Sequence, residues 1–564
     1  MPPGGPSQSQ RVYRHRAWNV AIAISFCAIL WVLYVSKAPS TPTIYDLPDH
    51  HECGSEIPTK RVAIIGAGSA GASTAYYINR YGGPCVTANI TVYERSAYVG
   101  GRSTTVNVYG DPAEPVELGA SIFVEANRNL VSAAKRFGLS TEEAGSARPK
   151  ESSEVLGVWD GEGFVFVQSN GGNYWWSVAK LIWRYGFAPI QTQRLMKRTV
   201  GKFMKMYESP HFPFRSLSQT AHDLGLTAVT ATPGNKFLME NQISGAFATE
   251  IIQASTRVNY GQNLGSIHGL ETMVCMATDG AMAIKGGNWQ IFDGMLRTAG
   301  ANVVLNTSVS GISSRNGGTF DVRYQPANGL DAGIDNSHVD EYDTVVLAAP
   351  LQFSGIDLSG ALSKLPDKIP YVELHVTLFA SPHKLSPPAF NLAEGSSMPE
   401  IVLTTLPNGA DSGKPGDEAG PIGFFSISTL RSIANPAATP PRMEYLYKIF
   451  SPKPLTSAFM ARLLGVPFPG DDLSSFSKDH VSWLHEKVWH SYPYLYPRVT
   501  FDEPQLDWNL WYTSGVESFI STMETSSLMG KNVARLIVDD WLGITRKGPA
   551  PQFDRQGTEL PPLF

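Results

Sequence analysis

Apolar positions along the chain change their period several times, and each change marks an element. From Arg61 the segment RVAII is apolar without alternation, the pattern of a strand covered on both faces. GASTAYYINRYGG follows, a helical pattern closed by Gly82 and Gly83. ITVYE then reads as a second strand ending on Glu94. Strand, glycine turn, helix and strand within about 30 residues make a βαβ unit. The stretch from about 125 to 260 reads as largely helical, and its part 174–206 is rich in Trp, Leu, Met and basic residues. ANVVLNTSVSGIS, TFDVRYQ and YDTVVLAAPL read as three strands. Residues 360–500 are mixed and broken by Pro/Gly loops, and FISTMETSSLMGKNVARLIVDDWLG predicts one strong helix before a polar tail. No segment repeats.

Charge changes the picture mainly at the N-terminus. Residues 1–16 form a basic, polar tail, and Ala17 to Ser36 are twenty residues without a charge. That length spans a bilayer core of about 30 Å. Positive charge on the N-terminal side places the body of the chain outside the cytosol. A retained signal anchor and a cleaved signal peptide both fit, ahead of a Pro-rich linker over 37–59. The sequons at Asn89 and Asn306 agree with a lumenal or extracellular body. Four cysteines are too few for a disulfide scaffold. Parallel strands of a βαβ unit start at one sheet edge, however, so Cys53 and Cys85, each just ahead of a strand, are expected to pair. Hydrophobic residues at 43% and charged ones at 17% describe a globular chain, and a formal charge of −5 gives no reason to expect nucleic acid.

The glycine turn carries the first chemistry. Gly66 permits the tight turn, Gly68 lets phosphate approach the backbone beside Ser69 and Ala70, and Gly71 lets helix and strand pack closely. Glu94 lies 23 residues beyond Gly71, placed to accept ribose hydroxyls and to repel a 2′-phosphate, which argues against NADP. NAD and FAD remain open on these residues alone.

After Glu94 and Arg95 come Gly100, Gly101 and Arg102, then VELGASIF from Val116 to Phe123. This order resembles the flavoprotein oxidase superfamily that includes the monoamine oxidases. The resemblance implies FAD, with Arg102 on the pyrophosphate and the turn Gly119, Ala120 and Ser121 close to the isoalloxazine. It also implies that Val309 meets the adenine and Glu517 the ribityl chain, while Thr522 and Met523 open a helix aimed at the flavin. Many of those enzymes hold FAD covalently through a cysteine near the C-terminal motif. This chain has no cysteine beyond Cys275, so its FAD is expected to be noncovalent. TRVNYGQ, containing Arg257 to Gln262, and KGGN, Lys285 to Asn288, narrow the resemblance to the prenylcysteine oxidases, also called prenylcysteine lyases; it covers about residues 60–545.

That family resemblance implies oxidation of farnesyl- or geranylgeranyl-cysteine by O2 and water to cysteine, a prenyl aldehyde and H2O2, during breakdown of prenylated proteins. Hydride passes from the carbon attached to sulfur to the flavin, which explains why no Ser/His/Asp array or metal cluster is legible. A lysosomal or vacuolar lumen fits members of that family, with secretion as the alternative. The membrane-anchored state is expected from the apolar run 17–36, a departure from the family, where a cleaved signal would be expected. Tyr260, His268 and Asn288 fall in family-specific segments and are candidates to border the thioether or to order the attacking water, although a buried structural role suits His268 better. Segment 174–206 is a candidate tunnel wall or membrane contact, as well as an ordinary core helix.

The expected fold is α/β: a Rossmann-like FAD-binding domain assembled from segments 60–130, 261–355 and 506–545, plus a mixed α+β substrate domain from 131–260 and 356–505, with a polar tail over 546–564. Two rivals are a noncovalent FAD amine oxidase and a flavin-free prenyl-binding protein resembling Rab escort proteins and GDP-dissociation inhibitors.

Overall fold

A computed structural model describes residues 58–143, 154–169, 183–243, 245–327, 337–362, 365–407 and 418–544. The N-terminal apolar run, Cys53 and the polar tail lie outside the described residues, and among these no helix is long and apolar enough to cross a membrane.

The first strand, β1 (Lys60–Ile65), forms because Val62, Ala63 and Ile64 are fully covered on both faces of a parallel sheet. It pairs in parallel with β2 (Ala88–Tyr93) on one side and with Thr344–Leu347 on the other. The six-stranded sheet runs Gln505–Asp507, Leu510–Tyr512, Thr344–Leu347, β1, β2, Asn302–Val304. Its strands come from widely separated parts of the chain. Only the Gln505–Asp507 edge strand is antiparallel.

Helix α1 (Ser69–Gly82) connects β1 to β2, and helix α6 (Met523–Trp541) packs directly across it. Small residues make that approach close: a Cβ on Gly530 would stand 2.3 Å from the Ala70 carbonyl oxygen, and the Ser73 and Ser527 hydroxyls meet at 2.7 Å. Between these two helices in the chain run α2 (Ala188–Phe203), α3 (Gln253–Tyr260), α4 (Gly269–Cys275) and α5 (Trp289–Thr298).

A seven-stranded sheet, ordered Trp483–Pro493, Tyr371–Ser381, Arg442–Ser451, Ser426–Asn435, Ile401–Thr404, Glu154–Trp159, Phe164–Ser169, forms the second large layer. All its pairings are antiparallel except Ile401–Thr404 with Glu154–Trp159. Here the structure departs from the sequence pattern. The 125–260 stretch is helical from Ala188 onward, but Glu154–Ser169 is a β-hairpin whose partner strands lie over 200 residues away. ANVVLNTSVSGIS is likewise two strands, Asn302–Val304 and Thr307–Ser314, belonging to different sheets. Asn306, at φ 53°, makes the break, a left-handed conformation that Asn tolerates better than most residues.

Candidate flavin and thioether site

The glycine turn closes on itself for reasons that separate its three glycines. Gly66 has φ 113°, and a Cβ there would stand 2.9 Å from the Ala348 carbonyl oxygen. A Cβ on Gly71 would stand 1.9 Å from the Gly66 oxygen, so this glycine is required by the protein's own packing. Gly68 differs. Its φ is −79°, which any residue adopts, and a Cβ there would meet nothing nearer than Gly101 Cα at 3.9 Å. The space above Gly68 is therefore left open by the fold, at the start of a helix with no side-chain cap over its N–H groups. An open cradle at an uncapped helix N-terminus fits a phosphate.

Glu94 sits at the end of β2, 8% exposed, and its carboxylate accepts from Ala67 N at 2.9 Å and Ser96 N at 2.8 Å. These bonds fix the carboxylate on the cavity wall beside Thr307, Ser308 and Val309. Arg95 donates to the Phe353 carbonyl at 3.0 Å. Gly100 N bonds the Ala67 carbonyl at 3.0 Å, which lays Gly100 and Gly101 against the first turn. Arg102 projects from there to Glu517, 2.7 Å away, and to the Ser491 carbonyl. Its charge is opposed by burial and held by Glu517. Arg102 and Glu517, 415 positions apart, are thus one ion pair on the cavity wall.

Thr522 caps α6 by accepting from Thr525 N at 3.1 Å, and the Thr525 hydroxyl accepts from Thr522 N, a reciprocal capping box. Ser69 donates to the Met523 carbonyl at 2.7 Å, which locks the start of α6 to the start of α1. Two helix N-termini therefore face one cavity of about 850 Å³. It is lined by Gly66, Gly68, Ser69, Ala70, Glu94, Arg95, Gly101, Arg102, Gly119, Ala120, Ser121, Val309, Glu517, Thr522 and Met523. Of the residues expected around a cofactor, only Gly71 stands behind the wall.

The three thioether candidates separate. Tyr260, at the end of α3, lines the cavity and meets Tyr492 edge to face with ring centroids 5.1 Å apart. His268 is fully buried away from it: it caps α4, accepting from Glu271 N at 3.2 Å through Nδ1, and burial pushes its pKa down to about 4. Asn288 is also fully buried and acts as a bracket. It donates to the Ala120 carbonyl at 2.9 Å, accepts from Ile284 N at 2.9 Å, and gives its own N–H to Glu117 at 2.6 Å. Asn288 shapes the turn that faces the cavity without reaching the cavity itself.

Sequence reasoning missed the groups that set the field on this side. Lys448 lines the cavity and donates to Ser121 Oγ at 2.9 Å and to the Glu117 carbonyl at 3.0 Å. Burial lowers the Lys448 pKa and raises that of Glu117, and each charge partly offsets the other's burial. The signal was present: in RMEYLYKIF, Lys448 shares the period-2 face of Leu446 and Phe450, so the strand points a cation inward. Glu271, fully buried on α4, is pushed up to about 8 by burial. The Tyr260 hydroxyl and Ser521 N–H face its carboxyl without reaching good hydrogen-bonding geometry. Cys275 also lines the cavity, a free thiol whose pKa burial pushes well up. Val200, Phe203, Met204, Val274, Leu374, Leu430 and Phe450 supply a long apolar wall.

Comparison with known proteins then decides the family. A sequence model of the prenylcysteine lyase family matches residues 168–548, well over half the chain. The chain belongs to the prenylcysteine lyase family. A second match, to NAD(P)-binding Rossmann-like domains, covers residues 64–137, where the glycine turn lies. Farnesylcysteine lyase of Arabidopsis thaliana is 28% identical over 93% of this chain and 95% of its own length. Human prenylcysteine oxidase 1 is 28% identical over 87% of this chain and 92% of its own. Among solved structures, a putrescine oxidase triple mutant superposes with TM-score 0.51 at 14% identity, covering 86% of this chain and 99% of that one. Cyclohexylamine oxidase from Brevibacterium oxydans gives 0.50 at 14%, with the same coverage. At these identities the two amine oxidases share the fold of the prenylcysteine lyase chain. The two pieces TRVNYGQ and KGGN both fall inside the family match.

Proposed function

We propose that this chain is an FAD-dependent oxidase that cleaves the thioether of farnesyl- or geranylgeranyl-cysteine. One observation carries the reading: a single cavity joins a dinucleotide cradle to a long apolar wall. When bound, FAD would supply the acceptor for a hydride from the carbon attached to sulfur and the route by which those electrons pass to O2. The balance is one thioether, one O2 and one water giving one cysteine, one prenyl aldehyde and one H2O2.

The residues of the chain bind and orient. The uncapped start of α1 above Gly68 suits the pyrophosphate, and Arg102 stands beside it held by Glu517. Glu94, fixed by two backbone N–H groups, suits the adenosine ribose. The start of α6 directs unpaired N–H groups and a partial positive charge into the cavity, where negative charge on a reduced ring is stabilised. Lys448, Asn288 and Glu117 hold the Gly119–Ser121 turn rigid. The apolar wall takes the isoprenoid tail and keeps water from it. Tyr260 is one of the polar groups that border this wall. FAD is bound without a covalent bond: burial keeps the Cys275 thiol protonated and a poor nucleophile.

The purified protein should absorb near 450 nm, and farnesylcysteine added without O2 should bleach that band. With O2, cysteine, aldehyde and H2O2 should appear in equal amounts. A flavin-loaded preparation that turns over neither prenyl length but releases ammonia from an amine would overturn the thioether reading in favour of the amine-oxidase alternative. A preparation that binds prenylcysteine yet never carries flavin would favour a binding protein. Flavin that stays with acid-precipitated protein would refute noncovalent binding.

The lumenal placement belongs to the same proposal. Asn89 and Asn306 are both exposed, and Cys85 is disulfide-bonded, which suits an oxidising compartment. Cys53, its expected partner, and the apolar run 17–36 lie outside the described residues. A lysosomal or vacuolar lumen with the N-terminal run retained as anchor is the reading, with secretion as the alternative. A glycosidase-induced mass shift together with fractionation into washed membranes tests both halves.

A further inference from the structure

Helix α2 has two unlike faces. Ala188, Thr192, Leu195, Met196, Thr199 and Phe203 are buried, and Phe203 reaches the cavity together with Val200 and Met204. The opposite face begins with apolar side chains that are open among the described residues. Trp183, just ahead of the helix, is 91% exposed, Phe187 70% and Ile190 39%. Three large apolar groups open to solvent within eight residues are unusual for a surface helix. The rest of that face is basic: Arg194, Lys197 and Arg198 are exposed, with Lys205 one turn beyond the helix.

Between Trp183 and Lys205 the chain has six Lys and Arg and no Asp or Glu, in a protein whose formal net charge is −5. Among the described residues only one of these six cations is spent on a carboxylate. Arg184 pairs with Glu250 at 2.9 Å, while Arg198 donates to the neutral Asn241 amide and Lys202 to the Gly225 carbonyl. Aromatic and branched apolar groups at one end, followed by unpaired cations on the same face, form an arrangement suited to the headgroup layer of a bilayer. There the apolar groups enter the acyl boundary and the cations remain among phosphates. Nucleic acid would account for the cations but leave Trp183, Phe187 and Ile190 in water.

We propose that the exposed face of α2, led by Trp183 and Phe187, docks peripherally on a bilayer surface containing anionic phospholipid. This contact does not depend on any spanning segment. It puts the helix that walls the cavity against the phase in which a prenyl thioether dissolves. The surface contact stands on exposure and charge; its use in substrate capture rests on the thioether reading above.

The test uses the full-length chain with vesicles of phosphatidylcholine alone or with about 30% phosphatidylserine, both brominated in the acyl chains. The charge reversal Arg194→Glu with Lys197→Glu and the truncation Trp183→Ala with Phe187→Ala each leave the cavity lining intact. Serine lipid should tighten binding about tenfold or more, and the charge reversal should abolish that gain. If residues 17–36 hold every form to vesicles, the reading moves to fluorescence. Brominated lipid should quench the wild-type tryptophan emission more than that of Trp183→Phe. Turnover of farnesylcysteine in free solution should be unchanged in both double variants, whereas turnover of vesicle-borne substrate should fall about tenfold. Loss of all turnover in the wild type would strike the thioether reading and leave the vesicle arm standing. Equal behaviour on neutral and anionic vesicles, with no difference in quenching between wild type and Trp183→Phe, would overturn the proposal. So would a dimer that the Trp183/Phe187 truncation converts to monomer, since the face would then belong to a second copy.

Discussion

The cavity has two walls of different origin. One is the glycine turn, Glu94, Arg102 and the start of α6, where local sequence and backbone conformation agree closely. The other is the antiparallel sheet with Lys448, Leu430 and Phe450, together with Tyr260 and Cys275, whose composition is that of any protein interior. The first wall is built by backbone, so its requirements appear as glycines at fixed spacing. The second is built by side chains brought together over hundreds of residues, so a short stretch such as RMEYLYKIF shows a cation pointing inward but not what it meets. A cofactor site can therefore be read from a motif, while the substrate site of the same enzyme needs the fold.

The sharpest test of the first wall separates two glycines that a motif treats alike. Gly71 is held by the protein, with only 1.9 Å from a Cβ to the Gly66 oxygen, so Gly71→Ala should destabilise the fold by several kcal/mol, roughly 3 or more. Gly68 is left open for the ligand. Gly68→Ala should fold normally and lose affinity for FAD at least tenfold, and Gly68→Val should be colourless. Melting temperature and the ratio of 450 to 280 nm absorbance check both. A yellow, stoichiometrically loaded Gly68→Val protein would remove the pyrophosphate from this turn.

The matching test of the second wall is Lys448→Met. It breaks the bonds to Ser121 and the Glu117 carbonyl and leaves the turn beside them free to shift. A misplacement of about 1 Å costs on the order of 10²-fold in rate, and that loss is expected with FAD retained. Because burial lowers the Lys448 pKa while Glu117 raises it, the alkaline limb of the pH–rate profile should also change in this variant. An unaltered profile and full activity would make Lys448 an ordinary buried cation.

Glu94→Ala should weaken FAD by roughly 1–3 kcal/mol through loss of charge-assisted bonds, read by flavin titration of the apoprotein. His268→Asn should do less. Asn is as good an N-cap, so α4 should persist and kcat should stay within twofold of wild type. A tenfold loss of kcat would return His268 to the list of thioether candidates.

How much was legible follows the same division. The βαβ unit, the helix opened by Thr522 and the carboxylate just after β2 at Glu94 were written locally and appear where the pattern put them. The Glu154–Ser169 hairpin was not, because its strand Glu154–Trp159 gains its partner from Ile401–Thr404. Asn288 and His268 were singled out for lying in distinctive segments. Yet a buried polar side chain that brackets a turn or caps a helix is as distinctive in sequence as one that touches a ligand. Glu271 went unnoticed because GLETMVC reads as an ordinary helix, and only burial shows that its carboxyl lies behind Tyr260.

That burial leads to the smallest expected effect. Glu271 and Glu524 have pKa values raised by burial to about 8 and about 7, from an ordinary 4.5. A carboxyl with a raised folded pKa favours the folded state fully below its unfolded pKa, and that contribution is lost as pH rises toward the folded value. Both groups therefore stabilise the protein near pH 5 relative to pH 8. His268 opposes them lower down: with a pKa lowered to about 4, its contribution is lost as pH falls below its ordinary 6.5. The melting temperature should accordingly be highest near pH 4.5 and fall by about 3 °C toward pH 8. Glu271→Gln replaces a carboxyl that must ionise with an amide that cannot, so it should flatten that fall while leaving the value at pH 5 nearly unchanged. A wild-type melting temperature constant from pH 5.5 to 8 would refute the argument, as would an unchanged slope in Glu271→Gln. The expected direction is that of a protein most stable in an acidic lumen. It is set by two buried carboxyls, Glu271 behind Tyr260 and Glu524 in the first turn of α6.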